Sequence, residues 1–127
     1  MRLGRSALGA LLARNAVELR FRRRHDKPGY KDQRRMLCTN DMTLLLSVGG
    51  KNILNFVPAH GRLPYNAAAY NLVIAWDIFM QDFRAINCDQ VDVIAVLPTQ
   101  PPDKFWDYFN NYLVQMPAQQ KMGFMNT

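Results

Sequence analysis

The chain has 127 residues, 49% of them hydrophobic, and a formal net charge of +6; this is enough for one domain with a modest core, and no second domain is required. Two cysteines, Cys38 and Cys88, exclude a disulfide framework and point to a reducing compartment. No apolar run reaches the roughly 20 residues of a bilayer span, so the chain is not predicted to cross a membrane.

The charge is unevenly placed. Residues 1–35 carry eleven Lys or Arg against Glu18, Asp26 and Asp32, a net of +8, whereas residues 36–127 carry a net of −2. Within residues 1–24, Leu8, Leu11, Leu12 and Leu19 gather on one side of a helix, and arginine is abundant. An amphipathic, arginine-rich and acid-poor leader has the composition of a mitochondrial targeting peptide, and Arg35 stands second before a matrix-processing cut after Met36. The same residues fit a permanent RNA-binding arm. Each arginine that meets a phosphate releases condensed counterions, which gives salt-sensitive, sequence-independent binding, and an arm that orders on contact suits RNA. The candidates are Arg14, Arg20, Arg22, Arg23, Arg24, Lys27, Lys31, Arg34 and Arg35. A plain solvated tail is the third reading of such a charge run. The predicted division is a basic arm or presequence over 1–38 and a small α/β body over 39–127.

Asp41 to Pro58 reads as a β-hairpin turning at Gly49-Gly50, with Leu44, Leu46 and Val48 on one face of its first strand and Ile53 and Val57 on one face of its second. A loop over 59–63 leads to the densest apolar stretch, Pro64 to Ile86. There Ala69, Leu72, Val73, Trp76, Phe79, Met80, Phe83 and Ile86 recur at helical spacing. The competing reading is a buried strand over Asn71 to Trp76, with Asp77 capping a shorter helix behind it. In the helical reading Tyr70, Ile74 and Ile78 form a second stripe, which with Trp106 and Tyr112 is the predicted protein interface. Val91 to Leu97 reads as a buried strand. A helix follows from about Pro102 to Gln115 with Phe105, Trp106, Phe109, Tyr112, Leu113 and Met116 on its apolar face, stopped by Pro117, and a last turn or two spans 118–125. The expected fold is a small single α+β domain: basic arm, β-hairpin, helix, strand, helix.

Residues able to carry chemistry are few. Ser6 and Ser47 lack a nucleophile setting, and His60, in a loop beside Gly61 and Arg62, is the lone candidate general base of the body. Cys38 and Cys88 lack zinc-ligand spacing. Gly49-Gly50-Lys51 lacks the Walker spacing of a phosphate loop, and the aspartates form no paired-carboxylate site. No metal, cofactor or small-molecule substrate is predicted.

Thr43 to Tyr65 carries the single family likeness. Gly50, Lys51, Ile53-Leu54, Phe56, Pro58 and Pro64-Tyr65 resemble the hairpin of the forty-second protein of the mitochondrial large ribosomal subunit, over under a fifth of the chain. That resemblance implies a ribosomal accessory subunit with no catalytic residues to carry over. Together these readings give a non-catalytic accessory protein of the mitochondrial ribosome in the matrix, its arm on rRNA and its apolar body docked on neighbouring protein subunits. The alternatives are a matrix-side accessory subunit of a respiratory complex or ATP synthase, with the arm only an import signal, and a small enzyme using His60.

Overall fold

The computed structural model of the chain describes residues 2–22, 33–47, 49 and 71–116. The leading basic segment is folded into the sheet. Helix α1 (Arg5–Arg14) runs directly into strand β1 (Asn15–Arg22), which pairs with β2 (Gln33–Thr39). The alternation in β1 explains the choice. Val17 and Leu19 are fully buried on one face, Ala16 on the other, and Arg20 is exposed, the period-2 pattern of a strand covered on both sides near its start and wet near its end.

Four further elements complete the sheet and its cover: a short helix α2 (Met42–Leu45), then β3 (Leu72–Asp77), β4 (Asp82–Asn87) and β5 (Val91–Pro98). Helix α3 (Pro102–Tyr108) widens into a π-helical turn over Phe109–Leu113. The five strands lie in the order β4-β3-β2-β1-β5 and every neighbouring pair is antiparallel. Strands β4 and β5 therefore occupy opposite edges, yet only residues 88–90 connect them. In a flat sheet the two edges would stand about 19 Å apart at about 4.8 Å per strand, beyond the roughly 14 Å that four peptide units can span. The sheet must curl. The bend falls between β2 and β3, whose pairing is limited to Cys38↔Asp77 and Thr39↔Trp76.

Curling gives the sheet two apolar faces. On one, Leu8 and Leu12 of α1 pack with Val17, Leu19, Met36, Cys38, Val73, Ala75, Ile86 and Val91. On the other, Ala16, Leu37, Trp76, Ile78 and Phe79 meet Leu44 and Leu45 of α2 and Phe105, Trp106 and Phe109 of α3. The protein is thus a small α+β domain, as expected, with a different order of elements.

Several local expectations are corrected. The helix predicted over 64–86 is a strand hairpin where it is described, and the competing strand reading of this stretch is the one that forms. A strand buried on both faces has no polar side, so its apolar run imitates a helix. Asp77 caps the β3–β4 turn rather than a helix, accepting the Met80 amide at 3.1 Å, and Gln81 closes that turn at φ 55. The first strand of the predicted 41–58 hairpin is instead α2. The Asp41 carboxylate accepts the Thr43 and Leu44 amides at 3.0 and 3.3 Å, and adjacent Leu44 and Leu45 are both buried, which a half-buried strand does not allow. Residues 51–58, the 59–63 loop, residues 64–70 and the 118–125 turn lie outside the described residues. The helix from Pro102 forms, but the bond from the Val114 amide to the Phe109 carbonyl admits one extra residue. That insertion turns later positions by about 100°, and Tyr112 is 66% exposed rather than part of the apolar face.

Gly49 is required for close approach, not for a hairpin turn. A β-carbon there would stand 2.7 Å from Cδ1 of the buried Trp106. Gly49→Ala is expected to destabilise the fold by about 1–3 kcal/mol through overpacking. Gly9 meets nothing within 4 Å inside α1, so Gly9→Ala is expected to stabilise by about 0.5–1 kcal/mol. Urea titration of both variants checks the opposite signs.

Candidate nucleic-acid interface

Hydrogen bonding from Arg22↔Gln33 to Val17↔Cys38 makes β1 and β2 one continuous ribbon. Residues 20–35, which form its outer end and connection, hold eight Lys or Arg against Asp26 and Asp32, a net of +6. That equals the charge of the whole chain, because elsewhere eight Lys or Arg meet eight acids. The excess therefore belongs to residues 20–35, whose two ends are paired strands of the sheet, while the remainder of the chain is neutral.

The predicted RNA-binding residues divide by position. Arg14 is exposed at the end of α1, at the opposite end of β1 from the hairpin connection. Arg20 is exposed in β1, directly across from Arg35 on β2 and from Asp92 on β5. Like charges facing across strands repel, and two carboxylates answer this. Glu18, one step along the same face, accepts the Arg35 Nε at 2.6 Å and also its Nη2. Asp92 lies beside Arg20 and takes Arg2 Nε at 3.6 Å. These two carboxylates offset part of the positive charge of the strand section. Arg22 and Arg34 are backbone members of β1 and β2 there. Arg23, Arg24, Lys27 and Lys31 lie outside the described residues.

Two of the five residues predicted for a protein interface lie in the core. Ile78 is 1% exposed and Trp106 3%. Trp106 stacks edge-on against Phe105 and Phe109, with centroids 5.0 and 5.5 Å away, and its indole N–H donates to Ser47 Oγ at 3.0 Å. Both side chains fill the space beneath α3 and are not available to a partner. Ile74 is half-buried, and Tyr70 lies outside the described residues. Tyr112 is the exposed member, its ring 5.3 Å from that of Tyr108.

The buried polar groups are structural. Thr99 Oγ1 lies within hydrogen-bond reach of the Arg14 carbonyl, at 2.8 Å, and of the Asp41 carboxylate. Thr39 Oγ1 donates towards the Asn15 carbonyl at 2.8 Å and accepts the Asp41 amide at 3.0 Å. This network ties the ends of α1, β2 and β5 together, satisfies its own donors and acceptors, and opens onto no reacting atom. Burial pushes the thiols of Cys38 and Cys88 up, with Asp77 and Asp89 adding to it, so neither forms a ready thiolate. Among the described residues no group of His, Cys, Asp and Glu gathers as it would around a metal ion; Ser47 is spent on Trp106 and on the Leu44 carbonyl at 2.7 Å, and His60 lies outside them.

Glu18, Asp92, Thr39, Asp41 and Thr99 were not singled out from sequence. Asp41 ahead of Met42-Thr43-Leu44 carried a helix N-cap signal, and Glu18 is the sole acid among the first 25 residues. Thr39 and Thr99 gave no signal. No helix among the described residues is long and apolar enough to cross a membrane. Comparison of the chain with protein-family models, with curated proteins and with solved structures finds no match.

Proposed function

We propose that the chain is a non-catalytic accessory protein of a ribonucleoprotein particle, foremost the mitochondrial ribosome, and that it grips RNA phosphate through the β1–β2 hairpin. The observation that carries this reading is the coincidence of the chain's whole net charge with one hairpin of a folded sheet. Cations clustered in this way meet phosphates by releasing condensed counterions, which gives strong, salt-sensitive and sequence-independent binding. The exposed Tyr108–Tyr112 pair, beside Asp103 and Asp107, offers a separate contact for a neighbouring protein subunit.

The rival reading treats the leading segment as an import signal alone, in a respiratory complex or ATP synthase. A cut after Met36 would remove α1, β1 and more than half of β2, which favours retention. Sedimentation of a matrix extract through sucrose tests the choice. Co-migration with the large ribosomal subunit that weakens as salt rises is expected; co-migration with a respiratory complex would overturn the reading.

A further inference from the structure

Strand β5 forms one side of the sheet, and no described strand pairs with its outer edge. The two edges of the sheet differ in chemistry. Strand β4 carries Asp82 and Arg84, charges of the kind by which edge strands are kept from pairing further. Strand β5 carries Asp92 near its start, 3.6 Å from Arg2 Nε, and then an uncharged run from Val93 to Pro98. Within that run Ile94 and Val96 are 44% and 41% exposed. A bulge against Glu18 and Leu19 makes Ile94 the extra residue of β5, so its regular ladder beyond the bulge runs from Ala95 to Pro98. An uncharged edge flanked by exposed apolar side chains is a template for another strand.

We infer that the strand it takes up is β5 of a second copy, running antiparallel about a twofold axis near Val96 and joining two five-stranded sheets into one. Val93 to Pro98 offers no cation to a polyanion and no acid to a basic segment, whereas it suits its own copy. With Val96 opposite the same residue of the second copy, Ile94 faces Pro98 and Asp92 faces Gln100, so no like charges are opposed. The basic strand ends do not meet either. Val91 lies beside Phe21, at the end of the β1–β2 ladder to which Arg20, Arg22, Arg34 and Arg35 belong. Antiparallel pairing sends these ends to opposite sides of the joined sheet; parallel pairing would set them side by side. A standard interface takes about 800 Å² from each partner. One strand edge supplies less, so dimer and monomer exchange with concentration.

This contact uses none of the residues proposed to meet RNA. Sedimentation velocity of the full chain over about 1 to 100 μM, the range of weak protein association, tests it, with high salt present so that RNA does not bridge the copies. The native mass is expected to rise from one chain to two and no further, because a twofold contact is closed. Val96→Lys sets two cations opposite each other and is expected to raise the dissociation constant about tenfold or more. Its thermal melt is expected to stay near the native one, since the side chain is exposed. Should it unfold, Ile94→Lys carries the same expectation. Ala85→Lys, at an exposed position of the opposite edge strand β4, is expected to dimerise as the native chain does. A single-chain mass throughout, a mass that grows beyond two chains, a folded Val96→Lys that dimerises as tightly as the native chain, or an Ala85→Lys that does not dimerise would each overturn the inference. All four would leave the RNA reading intact.

Discussion

Removal of residues 1–36 is expected to leave no folded protein. The deleted stretch contains β1, which is hydrogen-bonded on both sides, to β2 and to β5. It also contains Leu8, Leu12, Ala16, Val17, Leu19 and Met36, each no more than 4% exposed. Full burial of a large aliphatic side chain is worth about 1.5–3 kcal/mol, so the five larger ones together rival the 5–15 kcal/mol by which a whole domain is stable. The rest fares no better. Strand β5 would lose its pairing partner, and the face lined by Val73, Ala75 and Ile86 would lose the helix that covers it. Circular dichroism of the truncated chain is expected to show neither strand signal nor a cooperative melt. A cooperative transition close to that of the full chain would show that the leading segment is dispensable, and would return it to the role of a leader.

The second large effect is on binding. Replacing Arg22, Arg23, Arg24 and Arg34 together by Gln removes four of the eight cations of residues 20–35. Each lost phosphate contact on a single strand is worth about fivefold at about 0.1 M salt, so the quadruple variant is expected to bind RNA several hundredfold more weakly. Arg22 and Arg34 stand at the last rungs of the β1–β2 ladder, where Gln keeps the same backbone bonds, and polar-for-polar changes of this kind cost within about 0.5 kcal/mol each. The melting temperature is therefore expected to stay near the native value, which separates lost contact from lost fold. Equal affinity for native and variant proteins would show that the phosphates are met elsewhere.

Much of the fold class was legible in the sequence, and the reasons for the misses are physical. Val91 to Leu97 and the helix from Pro102 were found because each carries its own signal, β-branched density in one and Pro at a helix start in the other. Residues 72–87 were read first as a helix, with a strand over Asn71 to Trp76 as the rival, because Val73, Ala75 and Trp76 are all buried in one strand and a strand without a wet face has no alternation to detect. Residues 15–22 were missed for the opposite reason. Arginine and glutamate fill one side of the strand, and their abundance hid the Val17, Leu19 and Phe21 alternation under a composition suited to an unstructured leader. The candidate site was legible as chemistry and not as geometry. Positive charge could be counted, but its confinement to a hairpin depended on the pairing of Arg22 with Gln33, and the neutralisation of Arg35 on a cross-strand diagonal to Glu18. Pairings between residues 17 apart follow from register, which the sequence leaves open.

The claim on which the account stands is that the folded, basic hairpin is a polyanion-binding surface. Fluorescence anisotropy of the intact protein with a single-stranded RNA, repeated over a series of salt concentrations, tests it most directly. Log affinity is predicted to fall linearly with log salt at a slope of about −3 or steeper, the value for four or more phosphate contacts. Absence of binding at low salt, or an affinity indifferent to salt, would contradict it.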